Sequence, residues 1–534
     1  MASNTLRIYS GLYSPFVCRR CRVQITRSKA AKQWLRKLSG SQNLPDGEEH
    51  RAKDEAKKIP NVLQVLEERG FINQIAGNRD ELERTLARKR VGAYLGIDPT
   101  ASSMHVGHLV PFMALFWLQI YGYPVKYLVG GATGSVGDPT GRTSSRPHLP
   151  SDTRNTNVKA IKEQLRRMIG NLGSVTTKHF ESQQYLPVQD HGILNNDAWL
   201  RKTSIMDILG TIGTGLRLGA MLGRDTVKNK MEKVEGMSFS EFCYPVLQAY
   251  DWWHMYASMG VQLQIGGADQ YGNILSGIDG IKNALKVTGQ STEEEDEQEG
   301  LLSDPMGFTV PLLLAPSGEK FGKSAGNAVW LDVKQTPSFD LYGFFVSQPD
   351  SEVERLLKLF TFVELPEIER VMAEHTRSPE KRLAQHLLAS EFVSLVHGPD
   401  IAEKTAQNHK SMFSAGLISP DDLHRQLSDE TWEGPCLACS DFFGLSLSTV
   451  MVSAGIAKSK SEARRLISAK GVYILGEAQD ANGAPVRGMV PLDSEVETLS
   501  SRDLISLKDC DFDVFCIRKG KAKVVNVKVM KDKS

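Results

Sequence analysis

The chain is poor in cysteine, with 7 among 534 residues. So low and odd a number argues against a disulfide scaffold and suits a reducing compartment. Two CxxC pairs exist, Cys18/Cys21 and Cys436/Cys439, at opposite ends of the chain. Structural zinc sites gather their ligands at shorter spacing, so no metal site is expected. No stretch approaches the ~20 consecutive apolar residues of a membrane span, and no membrane partner is expected. Net charge is nearly absent, at +1. A surface for nucleic acid must then be local.

The first 45 residues contain neither Asp nor Glu. They do carry Arg7, Arg19, Arg20, Arg22, Arg27, Lys29, Lys32, Arg36 and Lys37, with Ser and Thr between. This composition predicts an organellar transit peptide over residues 1–45. No apolar segment of the length of a secretory signal occurs. A basic arm that binds RNA would share the composition. Residues 46–60 are charged and read as a linker or N-terminal extension.

What is present organises into three further parts. Residues 61–337 open with a short helix over 61–70, ended by Gly70. An apolar strand over 91–97 follows, then a turn at Asp98-Pro99-Thr100, a helix from His105 to Tyr121 and a strand over 125–129. Strand, helix, strand at this spacing predicts parallel pairing in a Rossmann-like α/β sheet, with ligands beyond the carboxyl ends of the strands. A later strand over 261–265 runs into Gly266-Gly267-Ala268-Asp269-Gln270. Six acids between Glu293 and Glu299 mark an insertion near 291–300, read as a solvated loop. Residues 338–430 alternate helical patterns with polar turns. Residues 436–534 form a small α+β part. In it, Ser459 to Glu462 resembles a capping box, opening a helix that bears Arg464, Arg465 and Lys470. Strands are expected over 472–475 and 524–529. From Arg518 onward there are seven Lys or Arg against one Asp.

Two motifs carry chemistry. His105-Val106-Gly107-His108 starts the helix after the first strand, and histidines three apart share a helix face. The free N–H groups of a helix start suit phosphate, and Gly107 lets a ligand approach the backbone. Lys320-Phe321-Gly322-Lys323-Ser324 sets two lysines around a glycine, able to place ammonium groups on a leaving pyrophosphate. A phosphate-binding P-loop also ends in Gly-Lys-Ser, but its first glycine would fall at Ser317. The run from Gly130 to Asp138 lacks the dinucleotide register and follows the second strand, not the first.

The paired motifs resemble the HIGH and KMSKS signatures of class I aminoacyl-tRNA synthetases. The segments 94–100 (YLGIDPT), 130–138 (GGATGSVGD), 244–251 (YPVLQAYD) and 266–270 (GGADQ) resemble the tyrosyl-tRNA synthetases, including fungal-type mitochondrial members. The likeness is strong over roughly 60–340 and weaker beyond. Residues 448–476 resemble a small RNA-binding domain shared with a ribosomal protein.

The resemblance implies a catalytic domain over 61–337, an anticodon-binding domain over 338–430 and an RNA-binding domain over 436–534. It implies that Tyr94 and Asp251 bond the phenolic hydroxyl of tyrosine. Asp138, Tyr244 and Gln248 would hold its ammonium, with Asp98 and Gln270 lining the same site. Thr100, His105 and His108 would contact ATP, with Gly107, Gly267, Asp269 and Ser324 beside it. Arg142, Arg146, Lys320 and Lys323 would stabilise pyrophosphate. Arg464, Arg465 and Lys470 would meet RNA. Magnesium would accompany ATP, tRNA(Tyr) would accept the tyrosyl group, and the enzyme would be a homodimer in the mitochondrial matrix. Pro111 stands where the family often has a polar residue and receives no role. A competing reading is an RNA-binding splicing cofactor of group I introns, either beside the ligase activity or in its place, as in some fungal mitochondrial relatives.

Overall fold

Asn61 accepts the Leu63 N–H at 3.0 Å and caps α1 (Val62–Glu68). Gly70 follows at φ +81°, a conformation that costs glycine nothing. The helix expected here is in place. The computed structural model describes residues 61–140, 149–180, 192–233, 236–289, 304–313, 328–413, 435–438, 442–443, 445–469, 471–479, 485–491, 504–506, 511–519 and 523–531.

After β1 (Gln74–Ala76) and α2 (Arg79–Arg88) come β2 (Gly92–Ile97), α3 (Val106–Ile120) and β3 (Val125–Val129). These last three are the expected strand, helix and strand. Helix α3 is apolar nearly all round, and twelve of its residues are buried, as befits a helix inside the core. Then follow α4 (Ser151–Thr176), β4 (Ile193–Asn195), several short helices between 197 and 231, α5 (Phe239–Met259), β5 (Val261–Gly267), α6 (Tyr271–Val287) and β6 (Met306–Val310).

The strands lie in the order β1-β6-β5-β2-β3-β4. All neighbours are parallel except β1, which pairs antiparallel with β6. The expected parallel sheet thus carries one antiparallel edge strand. Three residues are too few to show an alternating pattern, which is why neither β1 nor β4 is legible in sequence. Strand β2 has β3 on one side and β5 on the other. Chain direction around the sheet reverses there, and a crevice opens at the carboxyl ends of β2 and β5.

Helices α5 and α6 approach closely because Gly277 has no side chain. A Cβ there would sit 2.3 Å from Cε3 of Trp252. Trp252 is fully buried and donates to the Val261 carbonyl, so it has little room to retreat. Gly277→Ala is expected to cost about 1–3 kcal/mol of stability through overpacking. Urea unfolding of the variant measures it, and an unchanged midpoint would refute the close-packing account.

Helices α7 (Ser338–Val346), α8 (Asp350–Phe360), α9 (Leu365–Arg377), α10 (Leu383–Val396) and α11 (Pro399–Phe413) match the helical pattern expected from 338 onward. They share one apolar cluster with α1, α3 and α4. Buried Arg69 joins these parts. Its guanidinium lies 4.1 Å over the Trp117 ring of α3 and donates to the carbonyls of Lys358, Thr361 and Val363 at the end of α8.

The last part is a second sheet of β7 (Cys436–Ala438), β8 (Val472–Gln479), β9 (Pro485–Pro491), β10 (Leu504–Ser506), β11 (Phe512–Lys519) and β12 (Lys523–Met530). Its order is β7-β12-β11-β8-β9, with β10 beside β11. Helix α12 (Leu447–Ser453) completes its core through Leu447, Val450 and Met451, and α13 (Lys460–Ser468) through Ala463. The expected capping box is half formed. Ser459 takes the Glu462 N–H at 3.2 Å, but the Glu462 carboxylate takes the N–H of Lys458 instead of that of Ser459. Among the described residues no helix is long and apolar enough to cross a membrane.

Candidate active site

A cavity of about 300 Å³ lies at the carboxyl ends of β2 and β5. Strand β2 contributes Tyr94, and Asp98 and Thr100 lie just beyond its end. The start of α3 contributes His105, Gly107 and His108. The turn after β3 contributes Asp138. Tyr244, Gln248 and Asp251 line one wall from α5. Gly267, Asp269 and Gln270 come from the end of β5 and the turn after it. Every site residue expected in the first 313 positions and described by the structure is therefore in one place.

Tyr94 and Asp251 are the deepest polar pair, at 1% and 2% exposure. The Asp251 carboxylate accepts Trp199 Nε1–H at 2.6 Å and Asn196 Nδ2–H at 2.8 Å. Burial pushes its pKa up from 3.8 to about 7, against those two hydrogen bonds, and the nearby Asp98 charge adds to the rise. The Tyr94 hydroxyl is buried beside that charge and has no hydrogen-bond partner among the described residues. Burial, then the Asp251 charge, raises its pKa well above 10. A buried hydroxyl without a partner costs stability unless a ligand supplies one.

Asp98 is held on both oxygens, accepting from Thr133 Oγ1 at 2.8 Å and from the Tyr244 hydroxyl at 2.9 Å. Because Tyr244 gives its proton to Asp98, its oxygen faces a ligand as an acceptor. Asp138 accepts from Gln270 Nε2 at 2.6 Å and from the Thr140 hydroxyl at 2.6 Å. Gln270 Oε1 accepts from Gln248 Nε2 at 3.2 Å. This wall is rich in oxygen acceptors and suits a cation with several N–H donors.

At the helix start the rings of His105 and His108 stack 3.6 Å apart at 24°. The His105 backbone N–H donates to His108 Nδ1 at 3.2 Å. In neutral His108 the proton must then sit on Nε2, which becomes a donor.

Arg142, Arg146, Lys320, Lys323, Ser324 and Lys470 lie outside the described residues. Arg464 and Arg465 are exposed on α13 and take no part in the cavity.

Sequence reasoning missed several residues that hold the site together. Fully buried Asn196 accepts the Ala132 N–H and donates to both Thr133 Oγ1 and Asp251. Trp199 is stacked 4.6 Å from His254 and anchors the other oxygen of Asp251. Buried Asn273 donates to Gln248 Oε1 and Gln270 Oε1. The only local signal was a polar cluster at 195–197, with nothing to say that Asp251 would fold against it.

A cavity at the reversal point of a mostly parallel sheet, entered by a paired-histidine helix start, is the arrangement of a class I synthetase. Residues 86–414 match the family of class I tRNA synthetases for tryptophan and tyrosine, and residues 440–534 match the tyrosyl-tRNA synthetase C-terminal domain. The mitochondrial tyrosine–tRNA ligase of Podospora anserina is 41% identical over 440 residues, 80% of this chain and 68% of that protein. That of Drosophila melanogaster is 37% identical over 417 residues, 78% of this chain and 86% of that one. The crystal structure of a C-terminally truncated mitochondrial tyrosyl-tRNA synthetase from Aspergillus nidulans matches with TM-score 0.60 and 41% identity, covering 72% of this chain and 99% of that one. The chain belongs to the class I tyrosyl-tRNA synthetases, in their mitochondrial group. It is a tyrosine–tRNA ligase, with tyrosine, ATP and tRNA as substrates.

Proposed function

We propose that the cavity forms tyrosyl-adenylate with the residue roles that follow. The observation that carries the reading is the buried Tyr94 hydroxyl, without a partner among the described residues, beside the buried Asp251 carboxylate. A phenolic O–H entering this end donates to Asp251 and accepts from Tyr94, so both groups are satisfied. Asp138, Gln248 and the Tyr244 oxygen receive the α-ammonium. Tyrosine's carboxylate is then directed at the α-phosphorus of ATP, and needs no base because it is already ionised near neutral pH. Thr100, His105 and His108 meet the phosphates at the start of α3, where N–H groups and the helix dipole favour negative charge. Gly107 and Gly267 leave room for the nucleotide backbone, and Asp269 takes the ribose hydroxyls. Gln270 positions the tyrosine.

Arg142, Arg146, Lys320, Lys323 and Ser324 are assigned to the departing pyrophosphate by their motif. Magnesium arrives with ATP, liganded by phosphate oxygens and water more than by protein. Catalysis rests on positioning and charge stabilisation. The test is amino-acid-dependent ATP–pyrophosphate exchange with all twenty amino acids. Exchange with tyrosine alone is expected, and exchange with tryptophan or with none overturns the assignment.

Residues 338–430 are proposed to read the anticodon. Residues 436–534, with Arg464, Arg465 and Lys470, are proposed to add an RNA contact. The setting proposed is the mitochondrial matrix, with residues 1–45 as the targeting leader. A homodimer is supported by large apolar side chains exposed between 205 and 239. Met206 is 71% exposed and Phe239 79%. Large apolar side chains left in water are a feature of interaction surfaces. Met206→Glu/Phe239→Glu is expected to shift the protein from dimer to monomer in sedimentation velocity, and a monomeric parent would refute the dimer.

A second role in binding group I intron RNA rests on segments 46–60 and 291–300, outside the described residues, and on the basic C-terminal tail. Such binding falls steeply with salt. Its absence in filter binding near physiological salt would remove the idea.

A further inference from the structure

We propose that Trp330 is a positioning residue for adenylate formation, holding the ring of His105 in its working orientation. The proposal rests on the assignment of His105 to the ATP phosphates. Trp330 lines the cavity, half-buried, although it lies far from α3 in sequence. Two backbone hydrogen bonds bring it there. The Val106 N–H donates to the Val329 carbonyl at 3.0 Å, and the Leu331 N–H donates to the Met104 carbonyl at 2.8 Å. Residues 329–331 therefore lie antiparallel to 104–106, with His105 and Trp330 as the facing pair.

The segment is pinned on both flanks. The Asp332 N–H donates to Ser103 Oγ at 3.1 Å, and Thr336 Oγ1 accepts the Trp330 N–H at 3.0 Å. From this fixed backbone the indole meets the His105 ring in a T-shaped contact, 6.1 Å between centroids at 66°. His108 stacks on the same imidazole. An imidazole on a cavity wall has several rotamers open to it, and its χ2 well is broad. Two aromatic neighbours, each on a fixed element, restrict it. A donor that is already aimed loses nothing to reorientation as charge develops on phosphate. The indole itself need not touch the substrate.

The same contact joins the first signature motif to the chain that emerges from the second. Trp330 is six residues beyond Ser324. The orientation of His105 is thus set by chain that the helix start alone does not contain.

The test is a double-mutant cycle in the full chain, read as single-turnover tyrosyl-adenylate formation. Trp330→Ala is expected to lower the rate about tenfold, the scale of one aromatic contact, with the KM for tyrosine unchanged. Trp330→Phe should recover most of the rate. Trp330→Leu keeps apolar bulk without a ring and should fall with Ala, which separates ring loss from a packing defect. Combined with His105→Ala, Trp330→Ala should add no further loss, because the ring it positions is gone. Losses that multiply in the double variant, a wild-type rate in Trp330→Ala, or full recovery by Leu would overturn the proposal. An unchanged rate in His105→Ala alone would instead overturn the phosphate assignment beneath it.

Discussion

Asp251→Asn is expected to lower kcat/KM for tyrosine by about 10²-fold, while the much lower value expected for phenylalanine hardly changes. The reason lies in what the carboxylate does. Its two oxygens accept from Trp199 and Asn196, and the proposed phenolic O–H is a third donor to the same group. An amide has one acceptor oxygen, so its NH₂ must face a donor and one buried hydrogen bond is lost. Tyr94→Phe should cost about tenfold or less, since it removes a neutral hydroxyl. Both are measured as the tyrosine-to-phenylalanine ratio in pyrophosphate exchange. A ratio unchanged in Asp251→Asn would place the phenol elsewhere.

The same carboxylate predicts a pH dependence. Its folded pKa, about 7, lies above the ordinary 3.8. The ionised form is the stronger acceptor for the phenolic O–H, so tyrosine affinity should weaken as pH falls through about 7. The linkage with folding has the opposite sense. A group whose pKa is raised on folding binds its proton more tightly in the native state, so its contribution to stability declines as pH rises from about 4 to about 7. Asp251→Asn should flatten both dependences. Tyrosine titrations and urea unfolding at pH 5, 6, 7 and 8 check them.

The second large effect is on the chemical step. His105→Ala is expected to lower single-turnover adenylate formation by about 10² or more, the scale of losing one transition-state donor. Tyrosine binding should be unaffected, because the phenol is assigned to Tyr94 and Asp251 and the phosphates to His105. Lys323→Ala, chosen from its motif, carries the same expectation. Unchanged rates in both variants would sink the role assignments.

Much of the fold was legible in local pattern. The strands at 92–97 and 125–129 and the helix from 106 stood out as apolar runs bounded by turn residues, and Gly70 marked a helix end. Resemblance to the family implied that Tyr94, His105, Asp251 and Asp269 would converge, and the cavity brings them together. Less legible were the three-residue strands β1 and β4, whose pairing depends on the edges presented by β6 and β3. Asn196, Trp199, Asn273 and Trp330 were not legible as site residues, because each acts through a partner distant in the chain.

The residue types themselves determined the chemistry available here: two histidines at a helix start, acceptors for an ammonium, and a tyrosine and an aspartate for a hydroxyl. They also determined where the backbone could turn, because glycine and capping side chains act over a few residues. Tertiary structure alone decided which aspartate titrates near neutrality and which hydroxyl waits for a partner. Burial of Asp251 behind Trp199 and Asn196 lifts its pKa above that of an ordinary carboxylate, and burial is a property of what distant segments bring to a point in space.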